Sequence, residues 1–350
     1  MKYEEFKEYL VQRIKDYLPA KYIEAEVSVR PINKNNTILD SLFIKNENQN
    51  TIPTIYIEDF YKELENGQKN LHEVLSTIAD TYVKNMRDFD IKSITQKDYV
   101  LDNVTPRLIN KECNENTLSE YPHKDMGDFT CVYQVMVNEY EDGSASYKIN
   151  NSFLEKLDIP LDELHEMAVK NAMEKSPVKI QSMYEVLSDM GVDEASLPPI
   201  EEIQCAMTVI TNEGKTNGAN VILYDGVLDE ISDRVGGDVI LLPSSVHEWL
   251  AIKDDGNTDY SLFESMVKEV NLTQVVRQEQ LSDTVYHYDS KDKVFERCDE
   301  FVDRMKNKEL EKPSKDKGIK DILEDGKRRA KIQNEIKPKN PNLGKQAELV

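Results

Sequence analysis

Five histidines among 350 residues are few enough to weigh singly, and three of them precede a glutamate: His72-Glu73, His165-Glu166 and His247-Glu248. A zinc hydrolase of the helical type carries a second histidine four positions on, so that both imidazoles reach one metal from successive turns. Here those positions hold Ser76, Val169 and Ala251, and no metal site is expected. The most site-like stretch is Leu-Leu-Pro-Ser-Ser-Val-His-Glu-Trp at 241–249, which sets two hydroxyls, an imidazole and a carboxylate between apolar segments and beside the only tryptophan. Ser244, Ser245, His247 and Glu248 are therefore the candidate catalytic residues of a hydrolase. Two features oppose that chemistry. Neighbours along a strand point to opposite faces, and no G-x-S-x-G elbow presents a serine. The structural alternative, hydroxyls satisfying a turn and His247 bonding across strands, carries more weight.

Other polar clusters are weaker. Asn212-Glu213-Gly214-Lys215-Thr216-Asn217-Gly218 has the composition of a phosphate loop but not its G-x-x-x-x-G-K-[ST] spacing, and it is expected to lead into a strand. Asp125 and Asp128 near His123 read as a capped loop. The cysteines, Cys113, Cys131, Cys205 and Cys298, form no C-x-x-C pair and fit reduced thiols. With no dinucleotide fingerprint and no kinase motif set, no cofactor is expected.

The charge is lopsided. Asp and Glu number 66 against 44 Lys and Arg, a net of −22. Residues 303–350 hold 14 bases and 9 acids, leaving −27 on residues 1–302. An acidic body repels phosphate backbones, so nucleic acid is not an expected partner of the folded part. Solubility explains such a charge, and an electronegative docking face is the sharper alternative. The opening MKYEEFKEYL lacks the basic and apolar regions of a signal peptide, and no apolar run approaches the roughly 20 residues that span a bilayer. A cytoplasmic location, with no membrane attachment, is the expectation.

Around these residues the periodicity predicts an α+β protein with antiparallel sheets. Tyr3, Phe6, Leu10, Ile14 and Leu18 mark an amphipathic helix; 25–30 and 38–44 read as a hairpin joined by Asn33-Lys34-Asn35-Asn36; 53–57 is a short strand. Helices follow at 59–64 and 71–83, and a helix-like stretch at 95–116. Strands are expected at 129–137, 145–149, 239–242, 246–252 and 284–288, with helices from Asn151, over 161–173 and around Phe263–Val270. Domains are expected at 1–95, 96–302 and 303–350, the last a charged tail in which Ile319, Ile322, Leu323, Ile332 and Ile336 could form a helix on a partner.

A repeat is also suggested. Laid over each other without a gap, 131–157 and 205–231 share six identities in 27 positions, among them Cys131/Cys205, Asn138/Asn212 and Leu154/Leu228. This predicts two hairpin-plus-helix units, at about 129–175, turning at Glu141-Asp142-Gly143, and at 204–235, with strands at 205–211 and 218–224 and a helix starting at 227.

Several segments, PTIYIEDFY at 53–61, YPHKDMGD at 121–128, AMTVITNEGKTNGANVILYDGVL at 206–228, LLPSSVHEWL at 241–250 and LSDTVYHY at 281–288, resemble the family called domain of unknown function 5688. The resemblance spans the body up to about Val302. It implies an origin in gut anaerobic bacteria and their mobile elements, and it supplies no activity and no catalytic residues. The functional expectation is a non-enzymatic module that binds a macromolecule, most simply a protein, with the Ser/His/Glu hydrolase as the alternative. Oligomeric state is not legible.

Overall fold

The computed structural model describes residues 1–47, 49–140, 143–192, 207–311 and 326–327. Contacts divide the chain into two compact units, Met1–Cys298 and Asp299–Val350. The first is α+β with three antiparallel sheets.

It opens with α1 (Tyr3–Arg13), whose stripe buries Phe6 and Leu10 completely. Strands β1 (Glu26–Lys34), β2 (Thr37–Lys45) and β3 (Ile55–Tyr56) form a sheet in that order, followed by α2 (Glu58–Glu65) and α3 (Leu71–Asn85). Asn70 and Glu73 close a reciprocal capping box on α3. Leu42 and Ile44 of β2 pack with Phe6, Leu10, Leu75 and Ile78 in one core, each fully buried side chain contributing about 1.5–3 kcal/mol. The hairpin turns at Asn35-Asn36, with Asn36 at φ 58°, where asparagine is tolerated.

Next come α4 (Ile91–Ile94), α5 (Lys97–Asn103), β4 (Val104–Asn110), α6 (Lys111–Leu118), β5 (His123–Met126), β6 (Phe129–Tyr140), β7 (Gly143–Lys148), α7 (Asn151–Leu157) and α8 (Leu161–Lys175). The helix expected over 95–116 is broken by β4. Val104, Pro106 and Leu108 are buried at period two, and pairing with Val135, Tyr133 and Cys131 of β6 overrides the local periodicity. Pro106 also opposes helix. β4 lies along one edge of β6, with β5 and then β7 along the other.

The remainder comprises β8 (Val178–Ser182), α9 (Met183–Asp189), β9 (Thr208–Asn212), a 3-10 helix (Gly218–Leu223), α10 (Val227–Val235), β10 (Val239–Ser245), β11 (Glu248–Lys253), α11 (Tyr260–Thr273), β12 (Tyr286–Asp289), β13 (Val294–Arg297) and α12 (Cys298–Glu311). Six strands order as β13-β12-β10-β11-β9-β8. Here the repeat reading is corrected. The expected return strand at 218–224 is the 3-10 helix, because β8 and β11 already occupy both edges of β9. Only the strand and the helix of the second unit match the first. Cys205, the start of that strand, and the tail residues Ile319, Ile322, Leu323, Ile332 and Ile336 lie outside the described residues.

The hairpin tip is tied into the rest of the first unit by asparagines. Asn114 of α6 donates to Asn35 Oδ1 (3.1 Å), Asn36 Oδ1 (2.9 Å) and the Asn110 carbonyl (2.7 Å), and accepts from the Asn36 amide (3.0 Å). Asn35 and Asn36 donate in turn to the carbonyls of Gln278 (2.8 Å) and Gln280 (2.7 Å). These bonds fix β1 and β2 relative to β4.

Candidate functional site

The 241–249 stretch folds as β10, a tight turn and β11, with a register shift between Pro243 and Ser245. Ser244 Oγ donates to Glu248 Oε1 at 3.0 Å, and Ser245 Oγ accepts from the His247 amide at 3.0 Å. His247 Nδ1 accepts from the Asn217 amide at 3.1 Å, which leaves the proton on Nε2, 3.7 Å from Glu279 Oε1. The four candidates are thus neighbours, but the hydrogen bonds join Ser244 to Glu248 and His247 to Asn217; no hydrogen bond links a serine hydroxyl to the imidazole. The turn also anchors the 3-10 helix: the Ala219 amide donates to the Val246 carbonyl (3.1 Å), and Thr211 Oγ1 to the His247 carbonyl (2.7 Å). A Cβ on Gly218 would stand 2.1 Å from Thr211 Oγ1 and 2.3 Å from the His247 carbonyl oxygen, so only glycine fits. Trp249 is fully buried, donates to the Ala219 carbonyl (3.0 Å) and meets Phe129 and Tyr286 edge-on.

The other histidines also bond to protein groups. His72 meets the Tyr17 hydroxyl, His123 the Tyr121 carbonyl and His165 the Tyr133 hydroxyl. His287, fully buried on β12, lies 3.1 Å from Asp254 Oδ2, which also accepts from the Tyr260 hydroxyl at 2.6 Å. Burial opposes ionisation of Asp254, but hydrogen bonds from His287, Tyr260, the Gly256 amide and Thr258 outweigh it and hold the carboxyl well below the usual range. Asp125 pairs with Lys111 at 2.6 Å, and Asp128 with Arg297 at 3.3 Å. No group of three or more metal-ligating side chains occurs among the described residues. The 212–217 segment is a turn, as expected, but it leads into the 3-10 helix instead of a strand, and the first residues of that helix, Gly218 to Asn220, are buried.

Sequence reasoning missed a cleft of about 1190 Å³, walled by the N-terminal sheet on one side and by β4, β6 and β7 on the other. Lys34 from the end of β1, Arg107 from β4 and Lys148 from the end of β7 line it, with Arg87 further along. Among the described residues the one carboxylate in the lining, Asp59, already pairs with Lys62 at 2.8 Å. Arg107 lies between the buried Pro106 and Leu108, and its Nε is enclosed without a hydrogen-bond partner. Burial lowers the Arg107 pKa. Burial and the neighbouring guanidinium lower that of Lys34. Lys148 is exposed at the cleft mouth, yet desolvation along the wall, with the charges of Arg107 and Lys34, brings it down to about 8. Aromatic rings answer part of this charge: Lys34 Nζ sits 4.7 Å over Tyr56, Lys148 Nζ 5.4 Å over Tyr121, and Arg87 5.0 Å over Tyr140. Lys148 Nζ also donates to the Asn33 carbonyl at 3.3 Å, from β7 to β1.

No local signal joins positions 34, 107 and 148. The one available hint was Arg107 within Val-Thr-Pro-Arg-Leu-Ile-Asn, a charge alternating with apolar residues, and it is hidden once the segment is read as helix.

A family model described as Family of unknown function (DUF5688) matches residues 3–290. The chain belongs to that family, as the sequence resemblance implied. Comparison with curated proteins and with solved structures finds no match.

Proposed function

We propose that this chain is a binding protein that recognises an anionic partner through the Lys34–Arg107–Lys148 cleft, and that it carries out no hydrolysis. One observation carries the reading. In a chain of net −22, these three cations share a cleft in which Asp59, the one carboxylate among the described lining residues, is paired elsewhere, and burial together with the charges of Arg107 and Lys34 lowers the Lys148 pKa. Like charges held together in a partly desolvated space are unfavourable unless something offsets them. An anion does so directly, and charge-assisted hydrogen bonds to it are the strong kind. The acidic exterior then acts on selectivity, repelling anions that cannot reach the cleft.

The hydrolase alternative has the Ser244–Glu248 hydrogen bond in its favour and lacks a serine–imidazole bond. The test is a thermal-shift titration with pyrophosphate, at ionic strength held constant with sodium chloride, on the full chain and on K34M/K148M. A saturable rise in Tm for the wild type that the double variant loses supports the reading. Equal behaviour of the two proteins contradicts it, as does turnover of a p-nitrophenyl ester that His247→Ala abolishes.

A further inference from the structure

We infer that the occupant of the cleft is an extended acidic peptide segment, which adds as a strand to the edge of β7 and sets carboxylates against Lys34, Arg107 and Lys148. This rests on the anion-binding reading and names the class of partner. Three observations carry it.

The first is size. At about 1190 Å³ the cleft lies above the roughly 300–1,000 Å³ that houses small ligands, and a lone phosphate would leave most of it empty. The second is the open edge. All six residues of β7, Gly143 to Lys148, line the cleft, and among the described residues β6 is its one strand partner. On the opposite wall β3 pairs, among the described residues, with β2 alone. An unpaired edge offers a row of backbone donors and acceptors, and strand addition is how such edges bind peptides: main-chain bonds give affinity, and alternate side chains give specificity. The third is charge. Lys34, Arg107 and Lys148 lie close enough for their charges to interact, with Arg87 apart from them over Tyr140, which suits one or two carboxylates at the cluster. A nucleic acid needs a succession of phosphate contacts and would be repelled by the surrounding acidic body. The apolar lining, including Ile52, Ile55 and Val137, takes the residues between the acids.

The experiment is calorimetric titration of the full chain with four probes: a capped twelve-residue peptide alternating Val or Thr with Glu, its Gln counterpart, a copy N-methylated at alternate amides, and a twelve-residue oligothymidylate. The inference expects binding of the Glu peptide, at least about tenfold weaker binding of the Gln and N-methylated peptides, and loss of a similar size in K34M/K148M. If the Glu peptide binds and N-methylation changes nothing, strand addition is wrong. If pyrophosphate stabilises the protein in a Lys34- and Lys148-dependent way while no peptide binds, the inference fails and the anion-binding reading stands. Tighter binding of the oligonucleotide overturns the choice of partner, and binding of no anion at all overturns both.

Discussion

The turn at 244–248 and the cleft at Lys34, Arg107 and Lys148 make opposite use of polar residues. In the turn, the residue types are those of a hydrolase, yet the polar groups answer one another: Ser244 to Glu248, Ser245 to the His247 amide, His247 to the Asn217 amide. In the cleft, the residue types are unremarked lysines and an arginine far apart in sequence; the lysines meet rings and a carbonyl, Arg107 Nε meets no acceptor, and among the described residues no carboxylate pairs with the three. Polar groups that satisfy one another hold a fold together, whereas charges left unbalanced mark where a ligand belongs.

If that contrast is right, changes at the turn lower stability and changes in the cleft alter binding. The largest effect is expected for Trp249→Ala, which removes a fully buried ring from the Phe129–Tyr286 cluster; urea unfolding should show a loss of about 3–5 kcal/mol. Gly218→Ala places a methyl inside contact distance of Thr211 Oγ1 and the His247 carbonyl and should cost about 1–3 kcal/mol by the same measurement. His247→Ala removes the acceptor of the Asn217 amide, for about 1 kcal/mol, and should leave the pyrophosphate-dependent gain in Tm unchanged. A loss of that gain would dissolve the contrast.

The smallest effect has the opposite sign. Lys148 has a folded pKa of about 8 against an ordinary value of 10.5, so between those limits the unfolded chain binds more protons and stability rises with pH. Below pH 8 the full cost is present. Lys148→Met should therefore raise Tm slightly at pH 7 and flatten its slope between pH 8 and 10.5; a lowered Tm at pH 7 would mean that Lys148 holds the walls together through Asn33.

Much of the fold was legible because its signals are local. The apolar stripe of α1, the Asn35-Asn36 turn and the Gly143 hairpin each lie within a few residues. The errors share a cause in long-range pairing. β4 is a strand because β6 lies beside it, and Gly218–Leu223 is helical because β8 and β11 leave β9 no free edge. Legibility of the site followed the same rule. Ser244 to Glu248 drew notice by adjacency, while Lys34, Arg107 and Lys148 come from three strands in two sheets and meet only through the fold.

The most direct test of the central claim is calorimetric titration of pyrophosphate at pH 8 in two buffers of different ionisation enthalpy, on the wild type and on K34M/K148M. The account predicts that the wild type takes up more protons on binding, or releases fewer, than the variant does, as the anion draws Lys148 back toward its ordinary pKa, and that the variant binds at least about tenfold more weakly. Equal affinity in the two proteins, or no binding in either, would contradict it.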